Sequence, residues 1–219
     1  MKNKNKITLI SSIALLSLFV VWTVLVAVVG KEAIGPNGSS VGFATINGWF
    51  HNLTGFNNFL YVLTDWLGLI PFLMVGVFGL IGVIQWIKRK SIKKVDYSIL
   101  ILGAFYIIVL TVFVLFEFVV INRRPVILNG VLEASYPSST TLLCMCVIPT
   151  AIIVLNNLLK NNKLKLAISV CLSLFMAFMV VGRIISGVHW ITDIIGGAIF
   201  SAGIVLLYIY FYNLKKEVN

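Results

Sequence analysis

The sequence predicts an all-α polytopic membrane protein, with six transmembrane helices and an interfacial helix in the first outer loop. Apolar residues make up 60% of the 219 positions and charged residues 11%, far from the averages of soluble domains. The apolar residues also fall into six runs, each close to the roughly 20 residues that a helix needs to cross a bilayer. Lysines and arginines lie between those runs and gather on no single face, so the net charge of +10 fits membrane orientation and not nucleic-acid binding.

Residues 1–6 carry Lys2, Lys4 and Lys6 ahead of an apolar run from Ile7 to Gly30. That run is longer than a signal-peptide core and has no small-x-small cleavage site, so a retained first span is expected. From Lys31 to Trp66, Gly, Asn and Ser interrupt short apolar pieces. This is an outer loop whose Trp49, Phe50 and Trp66 suit the headgroup level, with His51 expected as an interfacial surface histidine. The second span runs from Leu67 to Ile87, where Pro71 is tolerable because neighbouring helices absorb the lost hydrogen bond; Lys88, Arg89, Lys90, Lys93 and Lys94 follow. The remaining spans are Ser98 to Ile121, Thr141 to Leu159, Leu166 to Ile185 and Ile191 to Leu214. Cys144, Cys146 and Cys171 sit inside apolar runs with no metal-type spacing and are expected to pack.

Six spans put both termini on one side. Thirteen of the seventeen Lys and Arg residues lie in the N-terminal stub, the two basic loops and the C-terminal tail, which makes those faces cytoplasmic in a multi-pass cell-membrane protein. The other four, Lys31, Arg123, Arg124 and Arg183, lie on the extracytoplasmic side. Arginines that break the orientation bias need another reason, and holding an anion is one.

Three polar clusters mark the outer ends of the later spans. In Gly182-Arg-Ile-Ile-Ser-Gly-Val-His-Trp-Ile-Thr-Asp193, a helix would set Asp193 one turn from His189, able to take its ring N–H and leave the other nitrogen free to attack. Arg183 adds a planar fork of donors suited to phosphate oxygens, as phosphoryl transfer requires. Arg123-Arg124-Pro125 is the second cluster and Tyr136-Pro-Ser-Ser-Thr-Thr141 the third. There Ser138, Ser139 and Thr140 offer hydroxyls and backbone N–H groups at a positive helix end, though helix capping alone would also explain them. Ionisable groups at span ends are costly and tend to mark function.

Taken in chain order, the clusters resemble the type 2 phosphatidic acid phosphatase superfamily. Its signature is Lys, six residues, Arg-Pro; then Pro-Ser-Gly-His; then Ser-Arg, five residues, His, three residues, Asp. The third motif fits in spacing through Arg183, His189 and Asp193, with Gly182 at the serine position. The first is present as Arg124-Pro125, with Glu117 at the lysine position. The second reads Pro137-Ser138-Ser139-Thr140, with Ser139 for Gly and Thr140 for His.

The resemblance implies one membrane-embedded phosphatase domain over residues 1–219, with its motif-bearing region at 117–193. His189 would be the nucleophile that forms a phosphohistidine, Asp193 would orient and charge-balance it, and Arg183 would complete the catalytic group. Arg124, Arg123, Ser138, Ser139 and Thr140 would bind the substrate phosphate, with Arg123 able to supply the missing lysine charge. No cofactor and no metal are implied. Thr140 cannot do the acid work of the family's histidine, which is worth about 10²–10⁴-fold. Either Glu117 or Glu133 serves as the acid, or the substrate is a diphosphate whose leaving phosphate hardly needs a proton. The substrate classes are an isoprenoid carrier diphosphate such as undecaprenyl diphosphate, phosphatidylglycerophosphate or phosphatidate, at the outer face of the cell envelope. The alternative is a catalytically degenerate member that binds a lipid phosphate without turnover.

Overall fold

The computed structural model describes residues 2–218, and side chains between Asn3 and Leu214. Lys2, Lys215 and Lys216, counted above for orientation, have side chains outside that set. The described chain is built from helices α1 (Lys2–Val28), α2 (Ala44–Thr54), α3 (Asn58–Leu67), α4 (Leu69–Arg89), α5 (Tyr97–Phe118), α6 (Ser139–Leu158), α7 (Asn162–Ser186) and α8 (Ile191–Val218). Six stretches are long and apolar enough to cross a membrane, at 3–28, 58–89, 97–118, 139–158, 162–186 and 191–214. The protein is therefore all-α and multi-pass.

Burial sorts the spans. Over its most apolar window α6 is 56% buried and α8 44%, against 17% for the first span and 6% for α7. The helix α6 is thus the axis of the bundle, and the others turn apolar faces outward, as a helix does where lipid and not water is the solvent. Along α1, Ser12 donates to the Gly203 carbonyl of α8 at 2.8 Å. A Cβ on Gly203 would lie 2.9 Å from the Leu16 side chain, so glycine is what lets these two helices approach.

One span begins earlier than hydropathy suggests. Residues 58–66, expected as loop, form most of α3, which Asn57 caps by accepting from the Leu60 N–H at 3.0 Å. Asn58, Thr64 and Asp65 lower the local hydropathy and hide the helix in the sequence, yet α3 packs along α7 and continues through Gly68 into α4. The interfacial helix is α2. It exposes Ile46, Trp49 and Leu53, three and four residues apart on one face. Its inner face is pinned by Asn47, which donates to the Gly42 carbonyl at 2.7 Å and to Thr192 Oγ1 at 2.9 Å.

Between α5 and α6 the polar stretch is ordered as a tight hairpin. Asn129 and Gly130 both have positive φ, at 49° and 76°, the backbone that a two-residue turn of this hand needs. Bridges pair Leu128 with Val131 and Arg123 with Ala134. The closing bonds run from Arg124 N–H to the Glu133 carbonyl at 3.1 Å and from Ser135 N–H to the Asn122 carbonyl at 2.9 Å.

If lysine placement sets the orientation, a cysteine at Val131 should react with an impermeant maleimide in intact cells, in a background where Cys171 is serine. A cysteine at Lys93, in the basic α4–α5 connection, should react only after permeabilisation. The opposite labelling pattern would invert the topology.

Candidate active site

The αL conformation of Gly187, at φ 65°, ends α7. A Cβ there would sit 1.8 Å from the Gly55 carbonyl oxygen, so the turn into α8 lies directly against the α2–α3 turn, and Asn57 N–H donates to the Ser186 carbonyl at 3.0 Å. His189 belongs to this turn, two residues before α8 begins. The expectation that His189 and Asp193 share a helix face therefore does not hold. Asp193 lies in the first turn of α8 and caps it, accepting from the Trp190 N–H at 3.0 Å in the manner of a capping-box acid.

Ser135, from the end of the hairpin, stands between the two. Its hydroxyl donates to Asp193 Oδ2, while His189 Nδ1 lies 3.0 Å from the Ser135 carbonyl and 3.1 Å from its hydroxyl oxygen. A carbonyl only accepts, so Nδ1 must carry the ring proton. Nε2 then has the lone pair. Burial pushes the His189 pKa well below the 6.5 of a free imidazole, and the charges of Arg124 and Arg183 push it the same way, which keeps the ring neutral. Asn122 Nδ2 gives Asp193 a third donor at 3.2 Å. Neither Ser135 nor Asn122 is marked by the motifs; adjacency to Arg123 and Pro137 is the one signal that pointed near them.

The two motif arginines are used differently. Arg183 is 2% exposed, and its donors are largely engaged. Nε and Nη2 reach Thr140 Oγ1 at 2.9 and 2.8 Å, Nη1 reaches Thr64 Oγ1 at 3.3 Å and Nη2 reaches Asp65 Oδ1 at 3.0 Å. Arg124 pairs through Nη2 with Glu133 at 3.1 Å, but its Nε and Nη1 are buried without a hydrogen-bond partner, and so is His189 Nε2. Leaving a buried polar atom unpaired costs about 1–3 kcal/mol. Such a cost is incurred three times among these motif side chains, and a ligand with matching donors and acceptors would offset it.

The other candidates divide. Ser138 is fully buried, accepts from Thr141 Oγ1 at 3.1 Å and ties its N–H to the Asp193 carbonyl at 3.1 Å. Ser139 and Glu117 line a small cleft with His189 and Ser135, at the positive end of α6. Thr140 is occupied as the acceptor for Arg183. The Arg123 guanidinium is not brought to the cleft; it donates to the Leu132 carbonyl at 2.8 Å within its own hairpin, while its carbonyl accepts from Trp190 Nε1 at 2.7 Å. His51 is half-buried and not a surface residue, its ring edge-on to Trp190 at 5.5 Å, and burial lowers its pKa. No cluster of three or more His, Cys, Asp or Glu able to hold a metal occurs among the described residues.

The family model for the PAP2 superfamily matches residues 116–217, from the cleft-lining end of α5 through α8. Over those residues the chain is similar to the PAP2 superfamily. Its fold is similar to the crystal structure of the first transmembrane PAP2 type phosphatidylglycerolphosphate phosphatase from Bacillus subtilis. The TM-score is 0.60 at 19% identity, over 95% of this chain and 98% of that one. No curated protein matches the chain in sequence.

The depressed pKa of His189 fixes a sign for stability against pH. Between the folded pKa and 6.5 the unfolded chain binds a proton that the folded chain does not. This contribution is complete above about pH 6.5 and is lost as the pH falls. Thermal unfolding of the detergent-purified protein should therefore show wild type losing Tm relative to His189→Gln on going from about pH 7 to about pH 5. A gap independent of pH would mean that His189 binds a proton alike in the folded and unfolded chains.

Proposed function

We propose that the protein is a single-domain membrane lipid phosphatase that works at the extracytoplasmic face through a phosphohistidine on His189, with both termini cytoplasmic. The observation that carries this is the set of unpartnered buried atoms, His189 Nε2 with Arg124 Nε and Nη1. These are a lone pair and two cationic donors, the nucleophile and clamp that a phosphoryl group needs. The Nε2 lone pair attacks phosphorus as the bond to the lipid oxygen breaks and its electron pair leaves with that oxygen. Water then attacks the same phosphorus, the N–P bond breaks back to Nε2, and inorganic phosphate is released. The imidazole gains positive character when phosphorylated, and the Asp193 carboxylate balances it through the Ser135 hydroxyl. Arg124 neutralises charge on the phosphoryl oxygens; Arg183, Ser138, Ser139 and the positive end of α6 add to that field.

The position of Thr140 supports one substrate class over the other. A hydroxyl that accepts twice from Arg183 cannot stand in for an acid, and Glu133 is committed to Arg124. Glu117 is then the one acidic side chain of the cleft beside His189. A lipid diphosphate loses a phosphate that needs little help; a monoester loses an alkoxide that needs a proton. The preferred substrate is accordingly a lipid diphosphate of the isoprenoid-carrier or diacylglycerol-pyrophosphate type, and any monoester activity, on phosphatidate or phosphatidylglycerophosphate, runs through Glu117. The arginine clamps supply the charge that a divalent ion would otherwise bring, so turnover should survive EDTA.

The decisive measurement is phosphate release by purified protein over a panel of lipid monoesters and diphosphates. His189→Ala should lose on the order of 10³-fold or more on every substrate. Glu117→Gln should cut monoester hydrolysis by about 10²-fold or more and diphosphate hydrolysis far less, while Glu133→Gln should not discriminate. Retained activity in His189→Ala would remove the phosphohistidine. Wild type that binds lipid phosphate but turns over none would make the protein a degenerate, binding-only member.

The Ser135 bridge is tested separately. Ser135→Ala keeps the backbone carbonyl and so the tautomer, and should cost about tenfold in kcat with little change in KM. Combined with Asp193→Asn it should cost no more than Asp193→Asn alone. Additive losses would show that Ser135 does not act through Asp193.

A further inference from the structure

Asp65 belongs to no motif, yet it forms an ion pair with the most deeply buried cation of the site, Arg183, at 3.0 Å. We propose that Asp65 is a built-in counter-anion that exchanges with the substrate phosphate at Arg183, and so sets how tightly phosphate is held and how fast it leaves. This rests on reading Arg183 as a phosphate ligand.

The partners of Arg183 separate into those that position it and the one that neutralises it. Thr140 accepts from two of its nitrogens. Thr64 accepts from a third, its own proton being given to the Leu60 carbonyl at 2.6 Å. The Tyr61 ring stacks 5.5 Å from the guanidinium carbon. These neutral contacts, from α3 on one side and α6 on the other, hold the guanidinium without any carboxylate. Asp65 adds a single bond to Nη2, a nitrogen that Thr140 already secures.

Exposure is just as unequal. The Asp65 side chain is 56% exposed and Arg183 is 2% exposed. Release of Asp65 to water therefore costs little, whereas Arg183 cannot follow it out. Where a dianion approaches a guanidinium whose donors are nearly all used, the bond most readily surrendered is the one to the solvent-exposed carboxylate. Until it is surrendered, that negative charge opposes phosphate. The α3 helix that bears Asp65 is held against the α7–α8 turn, through Asn57 and Ser186 and through the close approach of Gly55 to Gly187, two residues from the nucleophile. Exchange at Arg183 thus happens at the edge of the phosphoryl site and needs only a side-chain rotation.

The test uses the full-length protein in detergent and inorganic phosphate as probe, with affinity measured by titration calorimetry and by product inhibition of turnover. Asp65→Asn keeps an acceptor for Nη2 and removes the charge, and Asp65→Ser removes both charge and reach. Each should tighten phosphate binding by about fivefold relative to wild type, with KM falling and kcat not rising. Arg124→Gln, run beside them, should weaken phosphate and so show that the probe reads this site. If Arg124→Gln weakens phosphate while both Asp65 variants leave it unchanged or weaken it, Asp65 merely positions Arg183 and the proposal fails, with the phosphatase reading intact. If wild type shows no Arg124-dependent phosphate binding, the phosphatase reading fails and takes the proposal with it.

Discussion

The structure depends on keeping one carboxylate, Asp193, fully buried at the start of α8. A carboxylate without water must be given donors, since the cost of leaving it unpaired exceeds that of any single neutral group. Three segments supply them. The Trp190 N–H comes from the turn after α7, the Ser135 hydroxyl from the end of the hairpin and the Asn122 amide from its beginning. Satisfying this one group therefore closes the α5–α6 hairpin over the α7–α8 turn, and that closure carries Arg124 and His189 to the same side. Asn122 extends the linkage outward, since its Oδ1 accepts from the Gly42 N–H at 3.2 Å. The loop before the interfacial helix is thereby fastened to the same centre.

Around that centre the two motif arginines divide the work. Arg183 is held by Thr140 and Thr64, with Asp65 on its exposed side. Thr140, short and a good acceptor, turns to the guanidinium. Arg124 has only one of its three nitrogens paired, with Nε and Nη1 buried and unpartnered. One arginine is thus packed on nearly all of its donors and the other is not. A preorganised site gains from this separation, because the groups that must not move are packed and the groups that must bind are spared.

The bundle holds together the C-terminal ends of α5 and α7 and the N-terminal ends of α6 and α8. Buried side chains such as Tyr136, whose hydroxyl is 2.7 Å from Thr23 Oγ1 on α1, tie the loop carrying the second motif to the core. Its ring lies so close to α8 that a Cβ on Gly196 would be 2.6 Å away. The surfaces of α1, α4 and α7 away from these contacts carry Val20, Val24, Leu73, Leu80, Leu166 and Leu174 outward, where lipid is the appropriate solvent.

Chain composition alone determined that this is a six-span helical protein. Uninterrupted apolar runs of bilayer length have few other solutions, and lysine placement sets an expected orientation for them. Motif spacing alone also picked out His189, Asp193, Arg183 and Arg124, because three separated clusters with family spacing rarely occur by chance. What the sequence could not decide were contacts between residues far apart in the chain. Spacing of four suggested that Asp193 touches His189 directly; α8 in fact begins after the histidine, and a serine 54 residues away takes the place between them. Hydropathy concealed α3, since Thr64 and Asp65 look polar until the buried Arg183 is placed beside them. Glu117 and Glu133 were equivalent acids in the linear chain, and only the tertiary structure separated them, pairing Glu133 with Arg124, turning Arg123 onto its own backbone and leaving Glu117 on the cleft that His189 lines. Local pattern is enough where one residue's solvent decides its place, but a polar site is defined by which donor meets which acceptor, and that is decided only when the chain closes on itself.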